Sequence, residues 1–195
     1  GPPDLMRTLI ADRNDRVREV AYRWFELHPD ARLTPSLLAA LNTEQAEFVR
    51  PALIRALAAS ATDPAVQRAL TAEAGRGLDF FRSAVIEALG DYHLAFGAPI
   101  VAEIARNEGP LQDDAVLALG RIGGPQAAAT FKTLTNPPLD VVPALHAAQC
   151  VFEDACAMHL QVLTDMARSA VAKPDVVRAA VSAIGAVAEI GRAHV

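Results

Sequence analysis

FRSAVIEALG, at residues 81–90, is the stretch that decides the fold, because copies of its pattern recur before and after it. Counting from Phe81, larger apolar residues fall at offsets 0, +4 and +8, which are Phe81, Val85 and Leu89. The small residues Ala84 and Ala88 fall at +3 and +7. This spacing places all five side chains on one face of a helix. The stretch is therefore predicted to be a helix that packs through a face containing small residues.

The same template fits at five other places in the chain, beginning at Val17, Val49, Leu111, Val141 and Val176. Its +4 position holds Ala21, Leu53, Val85, Ala115, Leu145 and Ala180, and its +7 position holds Trp24, Ala56, Ala88, Ala118, Ala148 and Ala183. The copies are 32, 32, 30, 30 and 35 residues apart. A unit of two helices repeated at this period predicts an all-α fold, an α-solenoid of about five to six repeats in which every position above is core.

Prolines, glycines and capping residues set the predicted helix boundaries. First helices are predicted at about 15–28, capped by Asn14 or Asp15, and at 44–60, 81–90, 111–124, 140–153 and from Pro174. Partner helices are predicted to begin at Thr34-Pro35, at Asp63-Pro64, near Pro99 and at Pro125, and a further one spans 156–172. Thr34 is predicted as the N-cap of the first of them. A helix at 3–11 precedes the first template copy. Pro51 and Pro143 either bend their helices or mark the true starts. No linker is long enough to divide the chain, so one array over residues 1–195 is expected, a fragment of a longer protein.

The composition limits the function classes. The chain has 195 residues, 52% of them apolar, and 40 are Ala, which favours helices that approach closely. The formal net charge of −5 disfavours non-specific nucleic-acid binding. No apolar run reaches the ~18–20 residues that span a bilayer, and two cysteines cannot supply a disulfide framework. A cytoplasmic protein without a membrane segment is expected.

Short motifs within the copies carry a family resemblance. ALG at 88–90, ALG at 118–120 followed by RIG at 121–123, and VRAAVSAIG at 177–185 resemble HEAT repeats. They are most similar to the short bacterial HEAT-like repeats named after phycobilisome lyases, and the resemblance covers about residues 14–190. It implies a right-handed superhelix whose second helices line a concave face. The implied function is a non-enzymatic scaffold for protein–protein interaction within a larger bacterial protein; the alternatives are a lyase-like or enzyme-associated subunit and a nucleic-acid-binding HEAT-repeat protein.

Enzymes with related repeats use residues that this chain lacks. Deoxyhypusine hydroxylases hold a di-iron centre with His-Glu pairs, and none of the five histidines here is followed by Glu. Alkylpurine glycosylases of similar fold use a basic cleft lined by tryptophan, whereas Trp24 is the single tryptophan. Asp113 and Asp114 are adjacent at a helix start, where carboxylates stabilise the N-terminal dipole. No catalytic or cofactor-binding residue is therefore predicted.

An acid and an arginine recur three residues apart at the start of the first three units. The pairs are Asp15 and Arg18, Glu47 and Arg50, and Asp79 and Arg82, each 32 residues from the next. Residues at this spacing are neighbours on a helix, and each Arg can also reach an acid of a neighbouring unit. A structural ladder is predicted, with an arginine row presented to a partner as the alternative. Gln112, Val142 and Val177 replace the arginine in later units, where the ladder lapses.

One group of residues has metal-ligand chemistry. His146 and Cys150 are four apart on one predicted helix, and Cys156 and His159 are three apart on the next. Two thiolates and two imidazoles suit a tetrahedral zinc site. The favoured interpretation is that the cysteines are small buried apolar residues and the histidines bond to backbone groups, so no metal site is predicted.

The partner-binding face is expected on the second helices. Its polar residues include Arg68, Arg106, Lys132 and Arg168, mixed with acids, which suits a protein or peptide partner better than a phosphate backbone. The last helix, from Pro174, is apolar over most of its surface. It is a candidate for end-to-end self-association, because a terminal repeat normally carries a polar outer face.

Overall fold

The computed structural model describes residues 1–150 and 156–193, and every regular element in these ranges is helical. The α-helices are α1 (Pro2–Leu9), α2 (Asp15–Leu27), α3 (Thr34–Leu41), α4 (Arg50–Ala58), α5 (Pro64–Gly75), α6 (Asp79–Asp91), α7 (Ala98–Arg106), α8 (Gln112–Ile122), α9 (Gly124–Thr133), α10 (Val142–Gln149), α11 (Cys156–Arg168) and α12 (Pro174–Ala193). Short 3-10 helices at Ala31–Leu33 and Ala95–Gly97 precede α3 and α7. The predicted all-α class is confirmed. Within these ranges no helix is both long enough and apolar enough to cross a membrane.

Prolines mark helix starts rather than bends. Pro51 and Pro143 both lie in the first turn of their helices, α4 and α10. Proline is tolerated there because the first amide groups of a helix have no intrahelical acceptor. The second template helix therefore begins at Arg50, and the predicted start at residue 44 was wrong, since residues 47–49 form turns. Thr34 lies inside α3, and the N-cap is Leu33.

The chain divides into two compact units, Gly1–Tyr92 and His93–Val195. In unit 1 the template helices pack in series, α2 on α4 and α4 on α6. The partner helices α3 and α5 pack beside them, both against α4, and α5 also against α6. The expectation of one continuous array stays a prediction.

Unit 2 has its own series of template helices. Helix α10 packs on α8 and on α12, while α7 packs against α8 and α9, and α11 against α10 and α12. The contact between α8 and α10 is very close at Gly120. A Cβ atom on Gly120 would lie 2.8 Å from Ala148 Cβ and 2.9 Å from Ala148 Cα. Glycine is required there by the approach of the neighbouring backbone.

The predicted register is confirmed by burial at the +4 and +7 positions, whereas Val17 and Phe81 at offset 0, also predicted as core, are only half-buried. All six +4 residues are buried, and so are the +7 residues except Trp24. Trp24 was predicted as core but is only half-buried. It lies in the last turn of α2, where its ring stacks on His28 with centroids 4.3 Å apart and meets Phe25 edge-on at 5.0 Å. The bulky indole therefore covers the end of the helix instead of entering the small-residue contact.

Candidate functional site

Arg18 joins three segments of unit 1. From the first turn of α2, its Nε donates to Glu44 Oε2 at 2.6 Å and its Nη2 to Glu44 Oε1 at 3.0 Å. Its Nη1 donates to the carbonyl oxygens of Asp12 and Arg13 at 3.0 and 3.2 Å. The side chain of Glu44 is buried, and the hydrogen bond from Arg18 holds its pKa below the usual value. Arg18 therefore fixes α2 to the loop before it and to the turn before α4.

Arg50, one template copy later, is itself buried, with 7% of its surface exposed. Its Nη1 donates to the carbonyl oxygens of Leu41 and Glu44, both at 2.9 Å, and its Nη2 to Glu73 Oε2 at 2.7 Å. The guanidinium carbon lies 4.8 Å from the centroid of the Phe81 ring, a cation–π contact. A single side chain of α4 thus contacts residues of α3, α5 and α6.

Arg82 completes the predicted set. Its Nε donates to the carbonyl oxygen of Ala74 at 3.0 Å, and its Nη1 to Asp79 Oδ1 at 3.0 Å. Asp79 is the predicted acid, three residues before. Arg18 and Arg50 instead pair with Glu44, which is buried, and Glu73, which is partly buried, because a carboxylate with little access to water needs a partner more than an exposed one does.

The predicted acids of the first two units stay outside these pairs. Within the described residues, Asp15 and Glu47 form no ion pair with the arginines three positions later; Glu47 is exposed and Asp15 is half-buried. The spacing of the ladder therefore identified the arginines and only one of their three acids.

The three arginines share one contact that the ladder did not include. Each donates to carbonyl oxygens at the end of the preceding helix or just after it, where helices leave such groups without intrahelical donors. Gln112 stands at the same template position in unit 2, and its Nε2 donates to the carbonyl oxygen of Ala105, in the last turn of α7, at 3.0 Å. The arginine series ends at Arg82, but the carbonyl contact continues one unit further with an uncharged amide. Val142 and Val177 have no side-chain donor.

A second ionic network in unit 1 was missed from the sequence. Arg55 Nε donates to Glu26 Oε1 at 2.8 Å and its Nη1 to Asp91 Oδ2 at 2.7 Å. The hydroxyl of Tyr92 donates to the same Glu26 oxygen at 2.8 Å. Burial, together with this bond to Glu26, raises the pKa of Tyr92 to about 12. The network joins α2, α4 and α6, and its members have no shared template position that could have signalled it.

The four predicted partner-binding cations are exposed. Arg68 lies on α5, and the other three occupy the last turns of α7, α9 and α11: Arg106, Lys132 and Arg168. Arg106 Nη2 donates to Thr130 Oγ1 at 3.0 Å. Among the described residues none of the four forms an ion pair. A cation in the last turn is stabilised by the helix dipole, and here its charge is also open to a partner.

Exposed phenylalanines occur at the same template position in two copies of unit 1. Phe48 and Phe80 immediately precede the template starts Val49 and Phe81, and both are exposed. Arg16 occupies the same position in the first unit, and its guanidinium lies 3.9 Å above the Phe48 ring. Phe48 and Phe80 add exposed apolar surface at the start of the template helices.

The His and Cys residues of unit 2 meet in two pairs that connect the C-terminal end of α10 with α11. His146 Nδ1 lies 2.8 Å from His159 Nδ1, and His159 is buried. Cys150 and Cys156 are joined as a disulfide, with Cα atoms 4.3 Å apart, which corrects the expectation of separate buried thiols. Residues 151–155 lie outside the described ranges. The described chain contains no group of three or more His, Cys, Asp or Glu residues arranged to hold a metal ion.

The pKa of an acid at the start of α8 is shifted in the opposite direction from that of Glu44, the acid bound by Arg18. Asp113 is half-buried, and burial raises its pKa above the usual value, with the neighbouring Asp114 adding to the effect. The predicted position of both acids in the first turn of a helix is confirmed. For Asp113, burial and the charge of Asp114 outweigh the benefit of the helix N-terminus.

Arginines on the template helices are therefore used in internal contacts, while cations on the second helices are exposed and the His and Cys residues form a separate group. Each of these features is local to one unit.

No protein-family model matches the sequence, and no curated protein matches it.

Proposed function

We propose that the chain is a HEAT-type α-solenoid, a right-handed superhelix of helix pairs, that acts as a non-enzymatic scaffold and binds a protein partner through its second helices. The architecture is supported by the template repeated at intervals of 30 to 35 residues and by the burial of its +4 positions. It is also supported by the serial packing of template helices within each unit. Units that bury their apolar faces only against neighbours are typical of such arrays.

The observation that carries the binding proposal is the difference between the two sets of cations. Arg18, Arg50 and Arg82 are occupied by carbonyl and carboxylate groups of their own unit. In the described chain, Arg106 and Lys132 make no ion pair although they lie on the packed helices α7 and α9. Exposed cations that form no ion pair within the chain attract an acidic partner and increase its association rate. The partner is therefore an acidic segment of another protein.

Nucleic acid fits this surface less well. Glu103 is exposed one turn before Arg106, and Asp165 is exposed one turn before Arg168. Alternating charges do not form the continuous basic stripe that tracks a phosphate backbone. Together with the net charge of −5, this favours an acidic peptide over a duplex.

The test is selection of displayed random peptides on the immobilised chain, followed by fluorescence anisotropy of the enriched peptides. We expect the enriched peptides to be rich in Asp and Glu. The double variant Arg106→Gln/Lys132→Gln should bind them about fivefold to tenfold more weakly, since two exposed charges are removed. The matched control is Arg13→Gln/Lys173→Gln, which removes two exposed cations that lie outside the helices and should leave affinity unchanged.

Three outcomes would contradict the proposal. They are no enriched peptide, equal binding by the two double variants, or tighter binding of an unmodified DNA duplex at low salt, which would favour the nucleic-acid alternative. A visible absorbance band after incubation with a bilin would instead favour the lyase-like alternative. Circular dichroism of each variant excludes unfolding as the cause of weaker binding.

A further inference from the structure

Two side-chain contacts, one helical turn apart, connect α10 and α11 in unit 2. His146 meets His159 through their Nδ1 atoms at 2.8 Å, and Cys150 is bonded to Cys156. His146 of α10 and Cys150, the C-cap residue of that helix in helical conformation, are four residues apart, and Cys156 and His159 are three apart on α11, which places the two residues of each pair on one face. The two helices pack against each other. All four potential ligands therefore lie in the same short segment of one helix–helix contact.

We propose that the reduced chain binds one soft divalent metal ion, preferentially Zn²⁺, through His146, Cys150, Cys156 and His159. Two imidazole nitrogens and two thiolate sulfurs form a tetrahedral set that zinc prefers, with bonds of about 2.0–2.1 Å to nitrogen and about 2.3 Å to sulfur. Ligands four apart on one helix chelate a single ion in known zinc motifs, and ligands three apart do so in helical bundles. Both spacings occur here.

The histidine pair is already close to the required geometry. In a tetrahedral site with these bond lengths, two nitrogen ligands lie roughly 3.3 Å apart. The Nδ1 atoms of His146 and His159 are 2.8 Å apart, so their rings need to separate by only a fraction of an ångström. One Nδ1 must donate a proton to the other in the present arrangement, and a metal ion between them takes the place of that proton.

The surroundings of the pair favour a closed structural site. His159 is 3% exposed, and Leu163, one turn further along α11, is fully buried. Leu163 belongs to an apolar cluster with Ala147 of α10 and Ala183 of α12. An apolar wall excludes water and strengthens the attraction between the metal ion and its thiolates. Such a site would fix α11 on α10 and stabilise unit 2.

Binding depends on the redox state of the two cysteines. As a disulfide, the sulfur atoms offer no thiolate, and two imidazoles alone do not complete a zinc site. Reduction needs two electrons and two protons, which a cellular dithiol supplies while it closes its own disulfide. Each cysteine then carries a thiol, and the incoming Zn²⁺ displaces both thiol protons to solvent. Thiol–disulfide exchange with a cellular disulfide reverses this: that disulfide accepts two electrons from the thiolates and becomes a dithiol, Cys150 and Cys156 are rejoined, and the ion is released.

The experiment is a Co²⁺ titration of the full chain, reduced with a phosphine that is oxidised to its oxide and then removed under argon. We expect one equivalent of Co²⁺ to give thiolate charge-transfer bands in the near ultraviolet and the visible bands of a tetrahedral ion. Zn²⁺ should displace it with loss of colour. The disulfide form should give neither set of bands, and Zn²⁺ should raise the thermal midpoint of the reduced chain only.

Variants assign the ligands. Loss of one ligand should weaken Co²⁺ binding by at least about tenfold, since changes to groups that merely support metal ligands already cost that much. His146→Gln is the decisive variant because His146 is only half-buried. Cys150→Ser gives a second test, and His28→Gln, which changes an exposed histidine of unit 1, is the matched control.

Three results would overturn the proposal: a reduced chain without tetrahedral bands, a disulfide form that binds Co²⁺ equally well, or bands of unchanged strength and affinity in the folded His146→Gln variant. The last would indicate a site made by the two thiolates alone. Circular dichroism at each step establishes that the variants are folded.

Discussion

The two units hold their template helices together in different ways. In unit 1, arginines at the second template position donate to carbonyl oxygens at or just after the end of the preceding helix and to acids with little exposure, as Arg18 and Arg50 do. In unit 2, the same position holds Gln112, Val142 and Val177, and the contact of α8 with α10 depends on Gly120 against Ala148. Unit 1 is thus held by long charged side chains and unit 2 by close approach of small ones.

The comparison shows that one repeat pattern accommodates two kinds of helix contact. A guanidinium fills the space between helices and at the same time donates hydrogen bonds to carbonyl oxygens at helix ends. It also requires an acid within ion-pair distance. Small residues need no polar partner, but they leave no room for an added methyl group. We therefore expect unit 1 to be sensitive to loss of charge and unit 2 to be sensitive to added volume.

The largest effect is expected for Arg50→Met. The change leaves the Glu73 carboxylate without one cationic partner and the carbonyl oxygens of Leu41 and Glu44 without a donor. Removing one partner of a buried ion pair costs about 3–5 kcal/mol, and Arg76, which also contacts Glu73, keeps the loss near the lower end. Urea unfolding followed by circular dichroism measures it. The control is Val142→Met at the same template position, expected to cost under about 1.5 kcal/mol; equal costs would contradict the comparison.

A smaller effect is expected for Gly120→Ala in unit 2. The added Cβ would meet the Cβ and the backbone of Ala148 at under 3 Å, so the two helices must move apart. Overpacking costs about 1–3 kcal/mol, partly offset by the better helix propensity of alanine. Gly185→Ala is the matched control, because nothing lies within 4 Å of its added Cβ, and it should stabilise the chain. The same sign for both substitutions in thermal unfolding would show that the close contact does not limit side-chain volume.

Gln112→Met tests the amide that stands in place of the arginines. The variant loses the bond to the Ala105 carbonyl, but it also removes Gln112 Oε1, a buried oxygen without a hydrogen-bond partner in the described chain. We expect a loss of about 1 kcal/mol, well below that for Arg50. Gln45→Met, at an exposed position, should be neutral in the same unfolding assay. A loss as large as that of Arg50→Met would mean that charge does not distinguish the two units.

Acid pH should give the smallest effect, with opposite signs in the two units. The pKa of Glu44 is lowered from 4.5 by Arg18, so the unfolded chain takes up the proton first and stability falls as pH falls below about 4.5. The pKa of Asp113 is raised from 3.8, so the folded chain takes up the proton first and stability rises as pH falls through that raised value.

The two acids can be separated by substitution. Asp113→Asn should stabilise the chain at neutral pH, with the gain disappearing in acid. Glu44→Gln should destabilise at neutral pH, and its difference from wild type should narrow as pH falls below about 4.5. Urea unfolding at several pH values measures both, and pH profiles with the same sign for the two variants would contradict the assignment.

The sequence was sufficient for the helices and for their buried faces. The template identified the buried +4 residue in all six copies, because a helix with one apolar stripe has a single way to face its neighbours. The start of α4 could not be fixed, since Pro51 is compatible with a bend or a first turn. Trp24 left the core because its ring exceeds the space that alanine fills in the other copies.

Two of the three acids that pair with the ladder arginines could not be predicted from the sequence; Asp79, the partner of Arg82, could. Glu44 and Glu73 occupy no common template position, so only the folded chain brings them to Arg18 and Arg50. Arg55 is a stronger example, because Glu26 and Asp91 come from helices on either side of α4. The sequence showed that His146 is four residues from Cys150 and that Cys156 is three from His159. It did not show that His146 contacts His159 and that Cys150 bonds to Cys156, because these contacts depend on how α10 and α11 pack. Spacing within a helix can be read from a sequence, whereas contacts between helices depend on how each turn directs the chain.

The Arg55 network also has a mechanical consequence. A single guanidinium holds an acid of α2 on one side and an acid of α6 on the other, with α4 between them. Pulling α2 away from α4 takes Glu26 from both Arg55 and the Tyr92 hydroxyl, so the load passes directly to the contact with α6. Under tension, α2, α4 and α6 should therefore separate together in one cooperative step, and not helix by helix.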